Sequence, residues 1–497
     1  MNEGLLPIIP GEAIPLSKIP HLHFYDFYNE VLAQMEDGAK VVQYFAFNDP
    51  VVDRKQLLLV LRKAGMGNRL LLALAYATNE YLAFSVHHKK FHLFERELYE
   101  TEGIRPIGHP SLHPVRKQIE LYPFYCIHGH EVHEVGVGPV HAGVIEPGHF
   151  RFSAVGERVH LLEIQLGYQH RGVEQLLLKS ATSAWPMIIE GIAGDSAVSN
   201  ALCWVQAMEA LANISVSREL KIVRTLAVEL ERLSNHVGDL GALSNDVAFL
   251  PAAAYFGRMR GEFLNLLLLL SGNRFGKGLL VPGALRFELS SESADLIRAK
   301  IDEITPEIKS VGKLLFTTPS VQSRFERIGV LQVEQAQELG VVGITARASG
   351  IDYDVRVDYP RESYSELNLP IRTQKGGDVW GRAMVRFEEI LDSLGAIKTL
   401  LGMLGRIESS FLQPSHSNAF ANAFAPSSVI VTLNEGWRGE LSHAAVTDGA
   451  GKIIRYKIKD PSFHNWNALA QVMRESEISD FPLCNKSFNL SYCGFDL

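Results

Sequence analysis

The chain has 497 residues, 46% of them hydrophobic and 21% charged, with a formal net charge of −8 and 4 cysteines. That apolar fraction excludes global disorder, and the mild acidity argues against a nucleic-acid surface, which needs clustered cations. So few cysteines in so long a chain exclude a secreted disulfide scaffold and imply a reducing compartment; at roughly 150 residues per domain, about two to four domains are expected.

Met1 to Pro20 has no cationic segment followed by an apolar core, so no signal peptide is read there. The first 120 or so residues read as a small α/β unit. Val41–Phe47, Leu70–Tyr76 and Tyr81–Val86 are short β-branched, aromatic and aliphatic runs, bounded as strands usually are. Between the first two, Asp53 is expected to cap a helix through Leu61, ended by Gly65 and Gly67. Phe91–Glu102 reads as a helix closed by Gly103. Two turn-rich segments follow, Pro106–Pro114 and Gly136–Gly148, and a domain boundary is placed between them near residue 120.

Beyond it the chain reads as mostly helical. In Arg218–Leu243, Ile222, Val223, Leu226, Leu230, Leu233, Val237 and Leu240 recur at helical spacing, and Glu229, Arg232 and His236 fall on a neighbouring face. The most apolar stretch, Phe263–Leu270, is interrupted by Asn265 and is far shorter than the roughly 18 apolar residues of a spanning helix, so the chain is expected to be soluble. Ser291–Leu315 and Arg382–Met403 are further amphipathic helices. Ser428–Leu433 and Lys452–Ile458 alternate like strands, with Ala444–Val446 between them.

The sequence contains no Walker A loop, HExxH, GxSxG or CxxC motif. What remains is four polar clusters. Gly167–Glu174 holds a His–Arg pair beside glycine, suited to an electron-rich neighbour or to a structural bridge with Glu163 or Glu174. Gly343–Asp358 alternates charges around Ser349 and Gly350 and reads alone as an ion-pair loop. Glu435–Glu440 reads as a turn whose Arg438 is held by two carboxylates. Asp460–Trp466 reads as the start of a helix, with Pro461 in its first turn.

Taken together, these clusters resemble the large catalytic-site subunit shared by respiratory complex I (its 49 kDa or D subunit) and the group 4 [NiFe]-hydrogenases. The resemblance rests on Gly138-Pro139-x-His141, His170-Arg171-Gly172-x-Glu174 and Glu229-Leu-Glu-Arg232-x-x-Asn235-His236. It extends to Ala346-Arg347-Ala-Ser-Gly350 with Asp354 and Arg356, Arg438-Gly-Glu440 and Asp460-Pro-Ser-Phe463. The N-terminal unit resembles the 30 kDa or C subunit through Phe94-Glu-Arg-Glu97, Gly103-Ile104 and Gly108-His109-Pro110. A fusion of the two is familiar from formate-hydrogenlyase-type complexes, and Glu146-Pro-Gly-His149-Phe150 looks closer to that branch.

The resemblance implies an α+β fold: an N-terminal α/β domain over 1–120, then a mainly helical hydrogenase-large-subunit-like domain over 121–497 with a strand-rich insertion near its C-terminus. It also implies four nickel-ligating thiolates in two Cys-x-x-Cys pairs. Their expected positions hold Ala193, Ser196, Ser491 and Gly494, with Cys493 one residue out of phase. Only three residues follow Gly494, so no extension of the kind removed in nickel maturation is read. An active nickel enzyme is therefore not expected, and no metal is assigned to the chain. The alternative that Cys484 and Cys493 join Cys126 or Cys203 in a zinc or cluster site matches no common spacing.

In complex I the vacated cavity accepts a quinone head group beside the [4Fe-4S] cluster of a small B-type subunit. By resemblance, His170, Arg171 and His236 lie near that cluster, and His141, His149 and Asp246 serve the quinone and its proton coupling. Glu174, Arg347, Asp354 and Arg356 are assigned to proton coupling. No Tyr stands between Gly172 and Trp204 where complex I places a quinone-facing one. The implied function is a peripheral-arm oxidoreductase subunit on the cytoplasmic side of a membrane. It would pass electrons from the partner's cluster to quinone or another small acceptor, beside antiporter-like membrane subunits. The alternative is a scaffold or proton-coupling subunit with no redox substrate of its own.

Overall fold

The computed structural model describes residues 4–497 apart from 50–53, 118–121, 144 and 405–423. Asp53 and the boundary expected near residue 120 therefore lie outside the described residues. At the N-terminal end, Leu6–Ile8, Leu70–Tyr76, Arg54–Arg62 and Lys40–Asp49 form an antiparallel sheet in that order; His21–Leu22 adds to it parallel to Leu70–Tyr76.

The helix expected to run through Leu61 is instead the strand Arg54–Arg62. Leu57, Leu59 and Leu61 pack with Phe27, Val31, Phe94 and Leu98 of the helices Phe24–Glu36 and His92–Glu102. Leu58 and Val60 pack on the opposite face against a second sheet. A strand buried on both faces shows no apolar–polar alternation, so its apolar run carries no period that separates it from a helix. The expected strand Tyr81–Val86 is shorter, Glu80–Leu82. The buried Glu95 carboxylate accepts the main-chain N–H of Phe84 (2.7 Å) and Ser85 (3.1 Å), and these begin a single 3-10 turn, Phe84–Val86.

The larger part is built around the helix Arg218–Asp246, which Ser217 caps by accepting the Leu220 N–H at 3.1 Å. The helices Leu250–Ser271 and Val379–Met403 pack along it, and Ser291–Thr317 packs outside them. Gly312 of that outer helix lies under the Phe387 ring, whose carbons would stand 2.0 Å and 2.2 Å from an added Cβ. Gly312→Ala is expected to destabilise the protein by about 2 kcal/mol through forced repacking. Urea titration of the variant reads this as a lower midpoint at unchanged slope.

The strand-rich region near the C-terminus is a central layer of the molecule. Ile453–Lys459, Gly439–Thr447 and Ser428–Gly436 form a sheet whose far edge is completed by Ile14–Pro15. Ile430, Ala445 and Tyr456 face the helical core, while Val429, Val431 and Ala444 face the N-terminal sheet. The fold is thus α+β, with two packed sheets between two groups of helices. A separate three-stranded sheet, Val132–Val137, His149–Val155 and Arg158–Gln165, carries the loop that contains His141. Among the described residues no helix is long and apolar enough to cross a membrane.

Candidate functional site

Two buried polar centres meet beside the hairpin of Ser428–Gly436 and Gly439–Thr447. The first gathers the segments where nickel ligands were expected. Ser196 precedes the helix Ala197–Ala212 and its N–H bonds the Ala193 carbonyl at 3.0 Å. Ser491 caps the helix Tyr492–Asp496 by accepting the Gly494 N–H at 2.9 Å. A Cβ added to Gly494 would stand 2.6 Å from Asp460 Oδ2 and 2.8 Å from Ser491 Oγ, so a carboxylate fills the space a cysteine there would need.

Arg438 spans this group. Its guanidinium donates to both Asp195 oxygens (2.7 and 2.8 Å), to the Asn489 carbonyl (2.6 Å) and to Ser196 Oγ (3.4 Å), and lies 3.9 Å from the Trp437 ring centroid. Burial would raise Asp195, but Arg438 overrides it and holds this carboxyl below its usual range. The pairing corrects the expectation drawn from the Glu435–Glu440 turn: Arg438 is held by neither of them. Close packing accounts for how the turn is seated. Gly343 has φ +65, and an added Cβ would lie 2.0 Å from the Arg438 carbonyl, so only glycine admits the hairpin here.

His170 and Arg171 are exposed, and neither bridges to Glu163 or Glu174. Arg171 donates to the carbonyls of Gly191 (2.5 Å), Ile192 (2.9 Å) and Cys493 (3.0 Å), tying together the two segments where nickel ligands were expected. His170 Nδ1 lies 2.7 Å from the Asp496 carbonyl. Glu146 accepts the Tyr492 N–H at 3.2 Å and stands beside the Cys493 thiol, which burial and this carboxylate push up to about 12. His141 and His149 turn to their own loop, the first to the Gly148 carbonyl (2.8 Å) and the second to that of Gly138 (3.2 Å).

The second centre is a buried ion network. Arg347 meets Glu389 (2.8 Å), Glu435 (2.7 Å) and Asp354 (3.5 Å). Arg356 pairs with Asp354 (2.7 Å) and reaches Glu229 (3.5 Å) and Glu389 (3.7 Å). Arg232 bridges Glu229 (3.3 Å) and Glu389 (3.5 Å). His236 Nε2 lies 3.0 Å from Glu389, and its buried Nδ1 has no partner among the described residues. Burial pushes His236 down to about 4 despite Glu389. Burial also works against ionisation of Glu389, but Arg347, His236 and Arg356 win and hold it well below the carboxylate range.

Of the residues assigned to proton coupling, Arg347, Asp354 and Arg356 therefore converge, whereas Glu174 does not. Glu174 pairs with Lys457 (2.9 Å) and Arg455 (3.3 Å), and Lys457 continues to Glu97 of the N-terminal unit (2.6 Å). Asp246 ends its helix exposed, ten residues and roughly 15 Å beyond His236. Burial on one side raises it, eased by Lys486. Sequence reasoning missed Asp195 and Glu389. Asp195 directly precedes Ser196, and a carboxylate beside a vacated ligand position was the available signal. Glu389 lies inside an ordinary amphipathic helix and carries none.

Among the described residues, no group of three or more His, Cys, Asp or Glu is arranged to hold a metal ion. Cys203 and Cys484 are each buried and raised to about 12 by that burial.

Comparison with known proteins agrees with this architecture. The chain is 29% identical over 358 residues to a carbon monoxide-induced hydrogenase of Rhodospirillum rubrum, covering 71% of this chain and 96% of that protein. It is 27% identical over 429 residues to formate hydrogenlyase subunit 5 of Escherichia coli K12, covering 80% and 74%. Against an NADH-quinone oxidoreductase subunit of Chloroherpeton thalassium it is 30% identical over 344 residues, covering 65% and 78%. A chain in the solved structure of the membrane-bound sulfane sulfur reductase, an archaeal respiratory membrane complex, superposes with a TM-score of 0.69 at 25% identity, over 74% of this chain and 99% of that one. The family described as respiratory-chain NADH dehydrogenase, 49 Kd subunit, matches residues 246–496. With half its length matched by that family and the Arg232–His236, Arg347–Arg356 and Arg438 clusters assembled around one hairpin, this chain belongs to the 49 kDa subunit family of respiratory-chain NADH dehydrogenase.

Proposed function

We propose that this chain is a peripheral-arm subunit of a membrane-bound, complex I-like assembly that works without nickel. In this reading, electrons from a [4Fe-4S] cluster in a small partner subunit reach a quinone or another small acceptor at the chain's surface. Their transfer is coupled to ion movement through membrane-arm subunits, and this chain sits peripherally on the cytoplasmic side. One observation carries it: Ala193, Ser196, Ser491 and Gly494 supply no thiolate, while Arg171, His236 and the buried ion network remain assembled around their positions. These residues do not fit a nickel centre, which needs soft thiolates, and Arg438 and Asp460 stand close against Ser196 and Gly494. A docking face for the small partner is consistent with three exposed apolar side chains, Val140, Leu176 and Met187. Val140 lies in the loop that contains His141, Leu176 on the helix Val173–Lys179 that follows Arg171, and Met187 on the helix Trp185–Ile189 that precedes Gly191.

The filled space around Gly494 favours a second reading, in which the chain handles protons for the assembly and holds no redox substrate of its own. Two measurements on the purified complex separate the readings. Elemental analysis is expected to find nickel far below one per chain; stoichiometric nickel would defeat both. The reduced cluster, followed by electron paramagnetic resonance, is expected to be reoxidised by decylubiquinone. No reoxidation by decylubiquinone would defeat quinone as the acceptor; no reoxidation by any small acceptor would defeat the first reading and leave the second.

A further inference from the structure

One tight turn joins the two centres. Glu435 pairs with Glu440 across the hairpin, and Trp437 and Arg438 form the link between Gly436 and Gly439. Arg232 of the second centre donates to the main-chain carbonyls of Glu435 (2.7 Å) and Gly436 (3.3 Å). Three residues after Glu435, Arg438 grips Asp195 in the first centre.

The network around Glu435 is unbalanced in charge. Facing it are Glu229, Arg232 and His236 from the helix Arg218–Asp246, Arg347, Asp354 and Arg356 from the segment 343–358, and Glu389 from Val379–Met403. On its own hairpin, Glu440 is turned away to Lys459, Arg62 and the Tyr353 hydroxyl. Three guanidiniums thus meet four carboxylates, with His236 neutral and the neighbouring Arg386 matched by Asp239 at 2.8 Å. An uncompensated charge in a dry interior is costly, so one carboxyl retains a proton.

Counting donors identifies which carboxyl keeps it. Glu229 receives Arg232, Arg356 and the hydroxyls of Tyr364 (2.7 Å) and Ser393 (2.5 Å). Glu389 receives three guanidiniums and His236. Asp354 receives Arg356 twice over, the Arg356 N–H and Arg347. Among the described residues Glu435 receives only Arg347 (2.7 Å) and the Val355 N–H (3.2 Å). Burial accordingly raises Glu435 to about 7 against the pull of Arg347.

We propose that Glu435 is the proton-holding carboxyl of this network, and that the turn carrying it links its charge state to the Asp195–Arg438 pair. A proton taken up from solvent at the Glu435 carboxylate neutralises the network; its return to solvent leaves one net negative charge beside Arg232 and Arg347. This does not depend on whether any acceptor binds.

The test uses the full chain with its co-purifying partners and infrared difference spectra between about pH 5 and pH 9. A protonated-carboxyl band should disappear with a midpoint near 7 and be absent in Glu435→Gln. Glu231, a separate buried carboxyl also raised to about 7 by burial, serves as the control: Glu231→Gln should remove a different component and leave this one. Trp437 donates to the Asp195 carbonyl at 3.0 Å beneath Arg438, so the emission component lost in Trp437→Phe should follow the same midpoint. That response should be lost in Glu435→Gln. Retention of the band, or an unaltered Trp437 response, overturns the proposal. If circular dichroism shows Glu435→Gln unfolded, Glu435→Asp keeps a carboxyl at shorter reach and must displace the midpoint; an unchanged midpoint overturns the proposal equally.

Discussion

Glu389→Gln is expected to lower the unfolding free energy by about 3–5 kcal/mol, the cost of breaking a buried ion pair from one side. The substitution keeps the side chain's shape but removes its charge from among Arg232, Arg347 and Arg356, which it meets at 3.5, 2.8 and 3.7 Å. None of those guanidiniums has solvent to turn to, since all three are buried. The network would then hold three cations against Glu229, Asp354 and Glu435, with Arg347 losing one of its two close partners. Uptake of charge by Glu435 can offset part of the loss at high pH, so the deficit should be largest below about pH 7. Urea unfolding followed by circular dichroism measures it. A loss under about 1 kcal/mol would mean that the helical side of the network does not depend on Glu389.

The second large effect is the loss of the contribution of His236 to stability in mild acid. His236 has its folded-state pKa lowered from 6.5 to about 4, first by burial and then by Arg232 and Arg386, against the raising effect of Glu389. Between those values the unfolded chain binds a proton that the folded chain refuses, so stability falls as pH drops from about 6.5 to about 4. The total is on the order of 3 kcal/mol. Glu389 acts in the same direction at lower pH. Its folded-state pKa is depressed, so its contribution is complete above its unfolded pKa and is lost on further acidification. Buried carboxyls raised to about 7, Glu435 and Glu231 among them, act the other way over this range, so the reading is the difference: the unfolding free energy of the wild type relative to His236→Gln should fall as pH drops from about 6.5 to about 4. Equal slopes in both proteins would show that His236 accepts its proton without cost.

Much of the architecture was legible in the sequence because long helices with one buried face announce themselves. Ile222, Val223, Leu226, Leu230 and Leu233 repeat at helical spacing, and the structure carries that helix from Arg218 to Asp246. Where a segment is buried on every side, the pattern disappears. The segment 57–61 lies between two layers, and its unbroken apolar run read as a helix although it forms a strand. Ser428–Leu433 and Lys452–Ile458, with Ala444–Val446 between them, read as strands, and the structure extends them to Ser428–Gly436, Gly439–Thr447 and Ile453–Lys459. Their place at the centre of the molecule was not legible, because it depends on the N-terminal sheet packing against them and on Ile14–Pro15 closing their edge.

The candidate site divides in the same way. The motifs around Arg171, His236, Arg347 and Arg438 stood out as residue types at set spacings, but their partners did not. Asp195 and Arg438 lie 243 positions apart, and Glu389 lies 153 from His236. No local pattern records such pairs. By itself the sequence determined the family pattern, the helical frame and the lack of thiols at Ala193, Ser196, Ser491 and Gly494. Only the tertiary structure decided what stands against those positions, the Asp195–Arg438 pair and Asp460, and which carboxyl of the buried network is left short of donors. The physical reason is that ligand chemistry belongs to the single residue, whereas charge balance and burial belong to the group that the fold brings together.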